Sequence, residues 1–343
     1  MTGSRRGPRV PRRRGRAAEA MLGLIALLQT LTLAVSGPAT SPEYLAIRVA
    51  EAEGYFVREG LDVTVRTTRA ESGAAEALAQ GQVDLTATTL ESLLRFGPRA
   101  PDQTPRLVFG LTAAPPFAVL VAAAHAGGVR SVEDLEGLRV AVTTPGAPEL
   151  VWFGWLLART GVSVAQLHLM SLGERGLVRA IDSGEIHAAL VQEPMATRLL
   201  VEGRATLLAD FRTPAGVAKA LGIQTVSAGV FVRADRRPAD IHLAAFARAL
   251  LDAQERIRAA SAEELAARLP GRATGAQEDF ALRLEAARAC QLPDGLVSAE
   301  EVQQTIGIIR AHTPLPAVLR IPRPEGLLHL EPLQATIKAR QAR

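Results

Sequence analysis

Six short clusters in this 343-residue chain carry groups suited to holding a small molecule. They are Ser36, Pro38, Thr40 and Ser41; Thr88 and Thr89; Thr112; Thr143 and Thr144; Gly146 and Ala147; and Gln192 and Glu193. They offer hydroxyls, an amide, bare backbone and one carboxylate. Apart from the carboxylate, these groups donate hydrogen bonds without carrying formal charge. If they stand at helix N-termini, the unpaired N–H groups and the positive dipole end there suit a small anion. Each hydroxyl taken alone also reads as a plain helix cap. The signal lies in the set converging on one cleft.

Glu193 has two readings. It can face the cleft and accept from a ligand amine or ring N–H, or it can be a solvated first-turn carboxylate that complements the dipole. Trp152 and Trp155 stand three apart on one helix and read first as core packing. Tyr44 and Tyr55 are further aromatic candidates for stacking on a ring. Thr143-Thr144-Pro145-Gly146 lacks the Gly-Lys-Ser/Thr of a phosphate-binding loop and two glycines of a dinucleotide fingerprint, so it supports only a backbone N–H cradle.

Catalytic patterns are absent from the sequence. There is no Gly-x-Ser-x-Gly elbow and no His-Glu-x-x-His. The histidines at 125, 168, 187, 242, 312 and 329 are scattered, and Cys290 is the single cysteine, so neither a structural zinc site nor an intrachain disulfide is expected. Lys219 and Lys338 are the only lysines, which leaves little room for lysine-based covalent chemistry. The expectation is a binder without cofactor or metal, and no enzyme.

The elements that must position these clusters alternate between strand and helix. Leu31–Val35 and 61–67 alternate apolar and polar residues with period two, the pattern of strands. Further strands are expected at 83–87, 106–112, 117–123, 138–142, 168–172, 186–191, 206–209 and 225–232. Ser41, Pro42 and Glu43 open a helix in the preferred order of cap, rigid first turn and acid. Gly54 should stop it. Helices between strands imply parallel sheets, whose ligands bind beyond the carboxyl ends of the strands. The clusters above lie at those ends. Ala113-Ala114-Pro115-Pro116 breaks the chain into two α/β units, and from Ile241 onward the pattern is mainly helical.

Composition agrees with folded domains: 48% of residues are hydrophobic and 22% charged. The formal charge of +4 comes from the N-terminus. Seven arginines lie within the first sixteen residues, and without them the balance is 32 basic to 35 acidic. A nucleic-acid binder keeps its basic excess in the folded part, so that class is set aside. The basic start and the apolar run from Ala17 to Val35 read as a secretory signal or an uncleaved anchor, with a basic extension of a cytoplasmic protein as the alternative. Ala34-Val35-Ser36 is an acceptable cleavage site, yet cutting there would delete the first strand.

Five segments carry a family resemblance. Gly54-Tyr55-Phe56 with Glu59-Gly60-Leu61-Asp62-Val63 is similar to a signature of the nitrate/sulfonate/taurine and thiamine-precursor substrate-binding proteins of ABC importers. Leu78–Asp84, Asp134–Val142, Ser183–Ala189 and Glu193-Pro194 resemble the same group, in the same order, over roughly residues 31–313. His187 departs from it, standing where the family usually has Asp.

The resemblance implies an α/β, two-lobed type II periplasmic-binding-protein fold, each lobe a mostly parallel sheet flanked by helices. Residues 1–30 would be the signal or anchor, 31–115 and 233–335 lobe one, 116–232 lobe two and 336–343 a frayed tail. It further implies an extracytoplasmic, monomeric design that captures a small polar ligand between lobes and delivers it to an ABC permease. Sulfonate, nitrate, taurine and aminopyrimidine types remain open as ligand. A tethered sensor and a pyrimidine-precursor synthase with a lysine-bound cofactor are the alternatives on the same fold.

Overall fold

Two runs of alternating strand and helix each close into a five-stranded sheet in the computed structural model, which describes residues 28–70, 72–145, 148–317 and 321–342. The first run supplies β1 (Gln29–Val35), β2 (Leu61–Thr67), β3 (Leu85–Thr89) and β4 (Pro105–Thr112). The second supplies β5 (Phe117–Ala122), β6 (Arg139–Val142), β7 (His168–Ser171), β8 (Ala188–Gln192) and β9 (Ala205–Asp210). A last strand, β10 (Ala228–Arg233), returns to the first sheet.

The sheets share one topology. The first has the order β2-β1-β3-β10-β4 and the second β7-β6-β8-β5-β9. In each, four strands run the same way and the fourth in the order opposes them. Each opposed strand is the first to enter its sheet after a crossing: β5 follows β4 into the second sheet, and β10 follows β9 back into the first. The two-lobed α/β reading, with mostly parallel sheets, therefore stands. The expected lobe border after residue 232 runs through β10, whose ladder bonds go to β3 and β4 of the first sheet. All six residues of β10 are buried, which suits a strand wedged between two neighbours and covered by helices on both faces.

Leu31, Leu33, Ala34 and Val35 of β1 are buried, and β1 lies hydrogen-bonded between β2 and β3. Cleavage after Ser36 would remove this strand from inside the sheet. The basic start expected of a signal or anchor lies in residues 1–27, outside the described residues. Among the described residues no helix is long and apolar enough to cross a membrane.

Two segments cross between the sheets, residues 113–116 and 211–227, and they are tied to each other. The Thr225 hydroxyl donates to the Ala113 carbonyl at 2.8 Å, and the Ser227 N–H donates to Thr112 at 2.9 Å. Where the crossings meet the second sheet, Phe117 stacks on Phe211 with ring centres 4.6 Å apart.

Helices from Asp240 onward cover the first sheet. The helix Ala299–His312 also packs against Glu149–Arg159 of the second lobe, with His312 edge-on to Trp155. Residues 336–343, expected to fray, are helical as far as Gln341 in Glu331–Gln341, with Leu333 and Thr336 buried. Lys338 lies in that helix, and Lys219 lies in the helix Pro214–Leu221.

Candidate functional site

The carboxyl ends of β1 and β3 in one lobe face those of β6 and β8 in the other across a cavity of about 400 Å³. That is the size of a small-molecule site. Pro38, Thr40, Ser41, Thr89, Thr143, Thr144, Gln192 and Glu193 line it, as the strand-end rule expects. Gly146 and Ala147 lie outside the described residues.

Three expected site residues sit one layer deeper. Ser36 and Thr88 are fully buried, and the Ser36 hydroxyl donates to Thr88 Oγ1 at 2.9 Å, clamping β1 to β3. Thr112 is fully buried and its hydroxyl accepts from the Ala228 N–H at 3.1 Å, holding β4 to the incoming β10. These are hydroxyls spent on the walls. Thr89 does both jobs: it lines the cavity and its Oγ1 caps the helix Leu90–Phe96 by accepting from Ser92 N–H at 3.1 Å.

Glu193 reaches the cavity wall with its oxygens already engaged. It accepts from the Thr197 hydroxyl at 2.7 Å and from the Thr197 N–H at 3.2 Å. Arg212 donates to it at 3.2 Å while also forking onto Asp210 at 2.9 Å. The geometry gives a third arrangement beside the two readings of Glu193: buried rather than solvated, this carboxylate lines the cavity while it ties the helix Met195–Val201 to the end of β9.

The carboxylates that the sequence reading passed over are the distinctive feature. Glu43, Glu91, Glu149 and Glu174 join Glu193 on the cavity lining, against a single arginine, Arg283, among the described residues. Glu149 is 5% exposed; it accepts from the Gln192 amide through Oε1, while its Oε2 is buried and has no hydrogen-bond partner among the described residues. Burial raises its pKa, and Glu91 nearby pushes the same way.

Glu43 has only two long bonds, from the Ser41 and Ser227 hydroxyls, each at 3.4 Å. Burial, with repulsion from Glu149, lifts its pKa from the ordinary 4.5 to about 7. Glu91 is also raised by burial, although Arg95 pairs with it at 2.9 Å. Arg283 is not a matching free cation. It donates to the carbonyls of Thr274 at 2.6 Å and Ala276 at 3.4 Å and lies 3.5 Å from Asp279.

A common local pattern positions Glu43 and Glu149. Pro42-Glu43 opens the helical turn Pro42–Tyr44 after β1, and Pro148-Glu149 opens the helix Glu149–Arg159 after β6. The strands β1 and β6 hold the same place in their two sheets. Proline suits the first turn because its fixed φ and missing N–H cost nothing there, and an acid beside it complements the dipole. The repeated Pro-Glu step was visible in the sequence, but its significance depends on knowing that the two strands are equivalent.

The two tryptophans divide. Trp152 lines the cavity while Trp155 packs on His312. Tyr44 and Tyr55 are buried away from the cavity lining. Neither lysine lines it. His187 precedes β8, at the opposite end from the cavity; its Nδ1 accepts from the Arg139 N–H at 3.3 Å and its ring lies against His125, 4.3 Å between centres. The departure from the family pattern is thus absorbed as a local packing change.

Comparison with known proteins agrees with this architecture. The sequence model described as NMT1/THI5 like matches residues 41–256. No curated protein matches the chain. Among solved structures, a protein of Bordetella bronchiseptica RB50 has a TM-score of 0.71 at 23% identity, over 91% of this chain and 98% of that one. The alkanesulfonate-binding protein SsuA from Xanthomonas axonopodis pv. citri, bound to MOPS, gives 0.62 at 18%, over 88% and 98%. The periplasmic nitrate-binding protein NrtA from Synechocystis PCC 6803 gives 0.60 at 14%, over 92% and 90%. At these identities the likeness is one of fold.

Proposed function

Since the chain belongs to the NMT1/THI5-like family, we propose that it is the extracytoplasmic solute-binding protein of an ABC importer. It captures a small polar ligand between its lobes and hands it to a membrane permease. The observation that carries this reading is the cavity of about 400 Å³ between two sheets of identical topology, lined by strand ends of both. A ligand there touches both lobes, so its binding energy favours the closed form over the open one.

The two crossings, bonded to each other at Thr225–Ala113, form a narrow double hinge about which such closure can occur. Closure changes the outer surface, and that is the signal a permease reads. The relatives named for sulfonate and nitrate support a solute-binding role of this kind. Turnover is not part of this function. A lysine-bound cofactor would need a lysine at the cleft, and Lys219 and Lys338 lie elsewhere.

The test is a thermal-shift scan of the chain against nitrate, an alkanesulfonate, taurine, a carboxylate and an aminopyrimidine. A ligand at about 100 times its dissociation constant adds roughly 2.7 kcal/mol of stability, a rise of about 5–10 °C for a chain of this size. A shift of that order from one class supports the reading. No shift from any class, confirmed by calorimetry, counts against it.

A further inference from the structure

We propose that the cleft selects an organic cation, held between Glu43 of one lobe and Glu149 of the other, and rejects anions of the same size. This rests on the solute-binding reading above and deepens it. Glu149 Oε2 is buried at the cavity without any hydrogen-bond partner among the described residues. An unpartnered buried acceptor is costly, and a ligand N–H supplies what it lacks. Glu43 faces the same space with only two weak 3.4 Å bonds.

The two carboxylates come from opposite lobes, so closing an empty cleft confines like charges, and a bound cation reverses the sign of that interaction. An anion would meet Glu43 and Glu149 with no free countercharge among the described lining residues, because Arg283 already donates to two carbonyls and neighbours Asp279, and Arg95 is paired with Glu91. The positive end of the helix Glu149–Arg159, which would have attracted an anion, is occupied by the protein's own Glu149. Trp152 and the ring of Pro148 line the same space, so the cation carries an apolar body as well as its N–H groups.

The test uses two aromatic probes of similar size and opposite charge, benzamidine and benzenesulfonate, titrated into the wild-type protein by calorimetry at pH 8. Benzamidine is expected to bind at least about tenfold more tightly. Glu43→Gln and Glu149→Gln, separately and together, are expected to weaken benzamidine by about tenfold or more while the protein still melts cooperatively. Equal binding of the two probes, or benzamidine binding untouched by both substitutions, overturns the inference. Tighter binding of benzenesulfonate overturns it and leaves the solute-binding reading in place. Binding of neither probe, with no response to any of the five ligand classes above, removes both. The wild-type comparison decides the matter even where a variant fails to fold.

Discussion

Glu43 shows how burial makes a single charged residue unsuited to the empty protein. Its folded pKa of about 7 exceeds the ordinary 4.5 through burial, with Glu149 adding repulsion and Ser41 and Ser227 opposing it. Between those two values the folded state holds a proton that the unfolded chain releases. The folded form therefore binds more protons there, and stability falls as pH rises from about 4.5 through 7. Glu91 and Glu149 are raised in the same direction. Glu43→Gln should remove part of this slope. Melting curves without ligand should give the variant a larger advantage over wild type at pH 8 than at pH 5; an equal difference at both would mean that Glu43 is not held protonated by its surroundings. The hydroxyls tell the complementary story. Ser36, Thr88 and Thr112 have the chemistry of ligand donors, but each sits under the cavity floor and bonds one strand to its neighbour.

At the scale of elements, β1 carries more weight than its position near the start of the sequence suggests. It is a central strand, paired on both sides, with four buried apolar side chains. It also delivers residues 37–43 to the cleft. A chain beginning at Gly37 is expected to lose cooperative unfolding, whereas one beginning at Leu28 keeps it; circular dichroism with thermal melting separates the two. If the shorter chain melts like the longer one, the strand is dispensable and cleavage after Ser36 is structurally permitted. The paired Pro-Glu steps after β1 and β6 belong to this scale too. Each is an ordinary helix start, and it is the equivalence of the two strands that makes them a pair.

The whole molecule adds contacts that no single lobe contains. Arg198 of the second lobe pairs with Asp279 of the helix Gln277–Cys290 over the first, and Arg283 lies 3.5 Å from the same carboxylate. Both partners of the bridging pair are partly exposed, so its worth is roughly 0.2–1 kcal/mol. Asp279→Asn should loosen the closed form and raise the ligand dissociation rate about two- to fivefold, with little effect on association. Stopped-flow displacement of a bound ligand measures this. An unchanged rate would mean that the pair does not help hold the lobes together. The Thr225–Ala113 bond and the Phe117–Phe211 stack keep the two crossings side by side.

From the sequence by itself, the fold class was legible, along with the order of elements and the strand ends that face the cleft. The reason is local: period-two alternation, helix starts such as Ser41-Pro42-Glu43, and stops such as Gly54 each act within a few residues. Most of the cavity-lining hydroxyls followed from the strand-end rule. Only the tertiary structure decided the return of β10 to the first sheet, because the partner of an apolar strand is set by long-range packing that its own residues do not encode. It also decided the electrostatic character of the site. Glu43, Glu91 and Glu149 look like routine first-turn acids in the chain, and they become an acidic cleft only when two lobes bring them into one poorly solvated space. Whether a carboxylate is bonded, as Glu193 is, or left short of partners, as Glu149 is, depends on Thr197 and Arg212 being near one and not the other.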